Sequence, residues 1–182
     1  MGDENPQEPD APESPGQVIV QRGLYLDELT VGTLYRHAPG RTVTEADNVL
    51  FTTLTMNTQA LHLDAHWSST QPFGQPLVNS MFTLSTIVGT SVAQLTQGTI
   101  VANLGFESIS FPHPLVHGDT LYSESEILDT RLSSSRPGQG IARIRHIGRN
   151  QEGVVVAECV RSVMLWGSEE AHRSGAGAGD DR

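Results

Sequence analysis

Hydrophobic and polar residues alternate along the second half of the chain. This period of two occupies residues 100–111, 120–128, 140–148 and 154–166. Segments rich in Gly, Pro, Ser and Asn separate these stretches. Alternation of this kind is typical of strands that bury one face. The pattern therefore predicts four long strands, joined by turns, in an antiparallel sheet.

A helical period precedes the strands, in residues 77–95. Its apolar positions recur at steps of three and four, at Leu77, Val78, Met81, Leu84, Val88, Val92 and Leu95. The other faces carry Ser, Thr, Gly and Ala rather than charges, which indicates a helix that is buried on most sides. One buried helix followed by four strands predicts an α+β domain with a sheet wrapped around a long central helix, the hot-dog fold.

Two further elements are predicted before this helix. Residues 32–44 favour a strand, or a strand pair, that ends at a turn near Pro39. Thr44 and Asp47 have the spacing of a capping box, so we expect a helix over residues 45–55.

The two ends of the chain differ from its middle. Residues 1–16 hold five acidic residues and no basic one, which predicts a disordered leader. Residues 167–182 are small and polar, which predicts a flexible tail. The total of 182 residues suits one domain, over residues 17–166. Within it, residues 64–76 are expected to form a loop.

Composition excludes several classes of function. The net charge is −10 and all 11 basic residues are arginine, so neither a Schiff-base lysine nor a phosphate-loop lysine is available. The absence of a basic stripe argues against a nucleic-acid partner. No signal-peptide pattern and no apolar run of about 20 residues is present. We expect a cytoplasmic protein without a membrane segment.

Histidine pairs and the single cysteine are the candidates for metal binding or nucleophilic catalysis. His62 and His66 are four residues apart but lack the glutamate of the zinc-protease motif, and prolines flank the pair His113 and His117. No metal site is therefore expected. Cys159 lies in an alternating strand pattern and is predicted to be a buried residue, not a nucleophile.

The stretch TMNTQALHLD, residues 55–64, contains the strongest candidate for catalysis. Asn57 precedes His62 by five residues, and Asp64 follows it by two. Taken alone, this pattern also fits a histidine in a surface loop, with Asp64 capping the next turn.

Four ordered segments resemble the MaoC-like hydratases, an enzyme family with the hot-dog fold. They read TVTEADNVLFTTLTMNTQALHLD, FGQPLVNSMFTLS, FPHPLVHGDTL and SSSRPGQGIARI. The resemblance covers roughly residues 20–166. It implies reversible addition of water to a 2-enoyl-CoA thioester, which gives the (R)-3-hydroxyacyl product. No cofactor is implied beyond the CoA thioester itself.

The resemblance places the family's catalytic histidine at His62, while Asn57 stands where the family has aspartate. An amide can only hydrogen-bond, so His62 is expected to act as base and acid and Asn57 to position the water. The family's Ala-His-Gly segment is here residues 78–80. Backbone N–H groups of Ser80 or Met81 are expected to polarise the thioester oxygen.

The substrate side is also implied by the resemblance. Asn79 and Ser80 add side-chain donors that suit a second carboxylate, and these variants resemble the branch that acts on mesaconyl-CoA or itaconyl-CoA. The remaining substrate-binding candidates are Asp64, Ser133, Ser135 and Arg136. The last three lie in a turn that is expected to hold phosphates of CoA, or else to be an ordinary solvated hairpin turn.

Two other functions stay open. An acyl-CoA thioesterase shares the fold, although such enzymes rely on a carboxylate near the helix start and QPLVNSMFTLS has none. A non-catalytic acyl-CoA binder would bind its ligand without turnover. In each case one sheet around one helix leaves an edge strand, so we expect a homodimer or a larger homo-oligomer.

Overall fold

The computed structural model describes Gly16 and residues 19–176. The predicted acidic leader, apart from Gly16, lies outside these residues. Within them, one antiparallel sheet has five strands: β1 (Leu34–Thr42), β2 (Ile100–Ser110), β3 (Thr120–Leu132), β4 (Gln139–Arg149) and β5 (Val155–Trp166). Their order is β1-β3-β4-β5-β2, so β1 and β2 form the two edges.

The helices are α1 (Glu45–Leu54), α2 (Ala60–Leu63), α3 (Ala65–Ser69), α4 (Ser80–Leu95) and α5 (Ser168–Ser174), with a 3₁₀ turn at Leu26–Glu28. The capping box of α1 is present: Asp47 N–H donates to Thr44 Oγ1 at 3.2 Å. The helix predicted over residues 77–95 is present as α4, but it begins three residues later than the periodicity indicated, because Asn79 caps it.

Helix α4 packs against the sheet and forms the core with it. Its sheet-facing residues Leu84, Ile87, Ser91 and Leu95 are buried. Gly148 of β4 allows the close approach, since a Cβ at this position would lie 2.7 Å from Ile87 Cγ2. The four predicted strands correspond to β2, β3, β4 and β5, and together with the helices they confirm the α+β class.

The turn predicted near Pro39 is wrong, because β1 continues through it. The pairing of β1 with β3 shifts register between His37 and Arg41, and Pro39 lies within this irregularity. Proline cannot donate to the ladder, and an edge strand with a bulge is where a sheet tolerates it.

Two segments predicted to be irregular contain helices. The expected loop 64–76 begins with α3, which Asp64 caps by accepting the Trp67 N–H at 2.8 Å. The described part of the expected tail contains α5, whose Ser168 donates its N–H and O–H to Asp27 at 2.7 and 2.6 Å. Ala171 of α5 is buried. The Asp64 cap stabilises α3, and the contact with Asp27 stabilises α5. Amino-acid composition alone does not predict such contacts.

Candidate active site

His62 lies in α2, the short helix between α1 and α3, and is partly buried. Its Nδ1 is 2.9 Å from the carbonyl oxygen of Leu77. A carbonyl only accepts, so Nδ1 carries the hydrogen and Nε2 of the neutral ring keeps its lone pair. The geometry therefore leaves Nε2 able to take up a proton.

Asn57 follows α1 and shapes the turn that leads to α2. Its Oδ1 accepts the Gln59 N–H at 3.0 Å, and its own N–H donates to Thr52 O at 3.0 Å. Met56 before it has a φ of 56°. The amide oxygen thus accepts one hydrogen bond in the turn, while Nδ2 contacts no acceptor among the described residues and can contact a water or ligand.

Asn48 of α1 was not singled out from the sequence, and it connects more of this region than any predicted residue. Its side chain is fully buried. The two hydrogens of Nδ2 have three acceptors within reach: Leu77 O at 3.1 Å, His62 O at 3.3 Å and His117 Nε2 at 2.9 Å. Oδ1 accepts the Asn79 N–H at 2.8 Å. The buried residues of α1 are polar, Asn48 and Thr52, whereas Val49, Leu50 and Leu54 are exposed, so hydrophobic periodicity gave no signal for Asn48.

The N-terminus of α4 lies beside Leu77. Asn79 is buried, and its Oδ1 accepts the Met81 N–H at 2.9 Å, while its Nδ2 is 3.5 Å from Thr52 Oγ1. The Met81 N–H, one of two predicted donors to a thioester oxygen, is therefore occupied by the cap. Among the described residues no acceptor contacts the Ser80 N–H, which remains the backbone donor at this helix start.

A cavity of about 210 Å³ opens next to this helix start. Apolar side chains form most of its wall, and the polar groups are supplied by Ser80, Thr83 and His113. Nδ1 of His113 donates to Val155 O at 3.0 Å, so Nε2 of its neutral ring is an acceptor. A small, mostly apolar cavity with few polar groups fits a short acyl group.

Asp64 lies near His62 in sequence, but its side chain is exposed and caps α3. This is the arrangement that the sequence also allowed, with Asp64 at the start of the next turn. A contact between Asp64 and a ligand stays a prediction.

The turn with Ser133, Ser135 and Arg136 joins β3 to β4. Ser133 Oγ accepts the Arg136 N–H at 3.1 Å, and the exposed Arg136 side chain lies 3.6 Å from Met164 Sδ. His117 lies just before the first residue of β3, whereas this turn follows its last residue. A strand of 13 residues is about 40 Å long. Within one chain the turn is therefore remote from His62.

Cys159 and His66 were also candidates for nucleophilic catalysis or metal binding. Cys159 is buried as predicted, and burial raises the pKa of its thiol to about 11. His66 is exposed. No group of three or more His, Cys, Asp or Glu side chains that could hold a metal ion is found in the described part of the chain. In the same part, every helix is too short or too polar to cross a membrane.

The chain matches a protein family and several characterised relatives. The family described as MaoC like domain matches residues 28–150. A β-methylmalyl-CoA dehydratase of Chloroflexus aurantiacus is 30% identical over 150 residues, covering 79% of this chain and 40% of the relative. A mesaconyl-CoA hydratase of Cereibacter sphaeroides is 27% identical over 143 residues, covering 79% and 41%.

A solved structure confirms the fold. A conserved hypothetical protein of Mycobacterium tuberculosis, described as having a double hotdog fold, superposes with a TM-score of 0.72 at 27% identity. The match covers 80% of this chain and 45% of that protein. The chain thus has the hot-dog fold and spans less than half the length of the curated relatives it matches. Since the family model covers most of its domain, the chain belongs to the family of proteins with a MaoC-like domain.

Proposed function

We propose that the protein catalyses the reversible hydration of a short 2-enoyl-CoA to a 3-hydroxyacyl-CoA. The observation that carries the proposal is the hydrogen bond from His62 Nδ1 to Leu77 O, 2.9 Å long. This bond leaves the lone pair of Nε2 available to accept a proton. It also fixes the imidazole ring against Leu77, which precedes α4. The names of the two curated relatives, a CoA-thioester dehydratase and a hydratase, support the same reaction.

In the proposed mechanism His62 acts as base and then as acid. Nε2 takes a proton from water while the oxygen attacks C3, and the imidazolium returns a proton to C2, so that one water is added across the double bond. Asn57 holds the water through Nδ2, which has no other partner in the described part of the chain. The Ser80 N–H polarises the thioester carbonyl. Only water and protons move, so no cofactor is proposed.

We propose a short dicarboxylic acyl group, of the mesaconyl or itaconyl type, as the preferred substrate. The cavity of about 210 Å³ at α4 suits a short chain, and Ser80 and Thr83 supply hydroxyls there. Asn79 was expected to contact the second carboxylate, but its amide caps α4, which makes Ser80 the better candidate. Ser80→Ala should therefore reduce kcat/KM for mesaconyl-CoA more than for crotonyl-CoA. Equal losses on both substrates would contradict this assignment.

The functional unit is proposed to contain two copies of the chain. The edge strand β2 exposes Leu104, Phe106 and Ile109, with 48%, 39% and 43% of their surfaces accessible. A second copy on this edge would cover these side chains and remove the unpaired edge. It would also bring its own β3–β4 turn, with Ser135 and Arg136, toward a site from which the turn of the same chain is remote.

The test is a turnover assay of the purified protein on crotonyl-, mesaconyl- and itaconyl-CoA. Enoyl-thioester absorbance and free thiol are followed together, for the parent, His62→Ala and His66→Ala. His66 lies four residues further along the chain and is exposed, so it serves as the matched control. Loss of absorbance without thiol release, abolished only in His62→Ala, is the expected result.

Other outcomes contradict the hydratase. Thiol release would identify a thioesterase. If neither the absorbance nor the free thiol changes, while CoA-thioester binding survives His62→Ala, the protein is the non-catalytic binder. In that case Asn57 occupies a site that lacks its catalytic acid.

A further inference from the structure

We propose that Asn48 is a positioning residue that sets the His62 imidazole and the start of α4 relative to each other. This inference rests on the proposed function, in which those two parts supply the base and the carbonyl donor. Asn48 does not contact the reacting atoms in the proposed mechanism. It acts through the groups that it holds, on both sides of its buried amide.

On the histidine side, the link runs through Leu77. A carbonyl oxygen has two lone pairs, and here both find donors: His62 Nδ1–H at 2.9 Å and Asn48 Nδ2–H at 3.1 Å. The Asn48 amide also lies 3.3 Å from the carbonyl oxygen of His62 itself. Both the ring and the main chain of His62 are therefore placed with reference to Asn48.

On the helix side, Asn48 Oδ1 accepts the Asn79 N–H at 2.8 Å. Asn79 in turn caps α4 through the Met81 N–H at 2.9 Å. The N–H of Ser80 lies between these two fixed groups. Asn48 consequently determines where the first residue of α4 stands with respect to Leu77 and His62.

The orientation of the Asn48 amide is determined by its partners. A rotation by half a turn would place Oδ1 against the carbonyls of His62 and Leu77, and Nδ2 against the Asn79 N–H. His117 Nε2, 2.9 Å from Nδ2, closes the remaining side as a further acceptor. With the side chain fully buried, water cannot replace any of these contacts. The amide is thus held in a single orientation.

Two substitutions separate the roles of this side chain. Asn48→Asp has nearly the same shape and keeps an acceptor for the Asn79 N–H, but it places a second acceptor where Nδ2 donates. Asn48→Ala removes all the contacts. In both variants the Asn48 amide no longer holds the carbonyl groups of Leu77 and His62 in place. We expect the Leu77 carbonyl to move out of reach of Nδ1, so that the His62 ring loses its fixed Nδ1–H tautomer.

The first measurement needs no turnover. Nitrogen-15 NMR of the histidine rings in the full chain reports the tautomer of His62 in the parent, Asn48→Asp and Asn48→Ala. We expect the Nδ1–H form in the parent and a mixture with the Nε2–H form in both variants. An unchanged Nδ1–H form in the folded variants would overturn the proposal. Asn48→Asp supplies the answer should Asn48→Ala not fold.

The second measurement is steady-state kinetics with the best substrate of the panel. A misplaced base and donor should lower kcat on the order of 100-fold while KM changes by less than about threefold. Ser125→Ala is the control, because Ser125 is equally buried and hydrogen-bonded but contacts none of these residues. Its kcat per folded molecule should match the parent. A loss in the Asn48 variants no larger than the unfolded fraction explains would contradict a positioning role.

The two readouts separate this inference from the proposed function. A parent without turnover would reject the hydratase, and the tautomer would still decide whether Asn48 orients His62. If the parent shows turnover but neither the His62 tautomer nor kcat changes in the Asn48 variants, only the inference about Asn48 would be rejected.

Discussion

The residue that differs most from its family's usual chemistry is Asn57. At the position where the family that this chain resembles has an aspartate, this chain has an amide. The amide oxygen is 3.0 Å from the Gln59 nitrogen. Asn57 therefore has a structural role in the turn, whatever it contributes to catalysis. A carboxylate could accept the same N–H, so the turn itself does not require the amide.

Asn57→Asp should consequently leave the free energy of unfolding almost unchanged, whereas Asn57→Ala should lower it by about 0.5–1.5 kcal/mol through the lost hydrogen bond. Urea unfolding of the two variants and the parent, at pH 7, checks this expectation. Equal stability of all three proteins would show that the turn does not depend on this side chain.

At the scale of elements, the position of α4 depends on a contact with β4. Gly148 lies under Ile87, and a Cβ there would also lie 3.2 Å from Leu121 Cδ1. These neighbours are fully or almost fully buried, so they have little room to shift. The start of α4 carries Ser80 and Asn79, so the seating of the helix also determines the geometry of the site.

Gly148→Ala should lower the free energy of unfolding by about 1–3 kcal/mol because it overpacks this contact. Gly89→Ala is the matched control: Gly89 is exposed on α4, and a Cβ there meets nothing within 4 Å. That substitution should raise stability by about 0.5–1 kcal/mol through helix propensity. Thermal unfolding of both variants checks the pair, and a Gly148→Ala protein as stable as the parent would contradict the packing argument.

At the scale of the whole molecule, a buried polar chain crosses the sheet from β5 to α4. Arg161 Nε–H donates to His146, His146 Nδ1–H to Ser125, Ser125 O–H to His37, and His37 Nδ1–H to Gln94. The order of donors follows from the arginine, which can only donate. Burial and the adjacent Arg161 lower the pKa of His146 to about 3, and burial lowers the pKa of His37.

Because of these histidines, we expect the free energy of unfolding to depend on pH. Their pKa values are lower in the folded than in the unfolded state, so the unfolded chain binds more protons and stability is lost as pH falls from about 6.5 toward 3. The loss should amount to a few kcal/mol, on the order expected for such a shift. Urea midpoints between pH 7 and pH 4 measure it. His146→Gln should be less stable at pH 7 but should show a shallower slope, and an unchanged slope would contradict the assignment.

The proposed second copy belongs to the same scale. If Arg136 serves the site of the neighbouring subunit, then His62→Ala and Arg136→Ala each lack activity alone, but a mixture should regain part of it, because hybrid dimers contain one intact site. Light scattering and turnover of the refolded mixture check this expectation. Leu104→Glu on β2 should give monomers without turnover. A fully active monomer would contradict the shared site.

Local patterns in the sequence located the four long strands β2–β5 and the helices α1 and α4, but not α3, α5 or the continuation of β1 through Pro39. Alternation located the strands and the three-four period located α4, because both report which face of a segment is buried. The His62 motif could be found in the sequence because its residues all lie within residues 55–64. The chemistry of single residues also predicted Cys159 as buried.

Only the tertiary structure decided how these parts meet. Asn48 bonds to groups 14 to 69 residues away in sequence, and no local period encodes such partners. The same reason accounts for α5 docked on Asp27 and for a β3–β4 turn remote from His62 in its own chain. Hydrogen bonds between distant segments form only after packing has brought their donors and acceptors together.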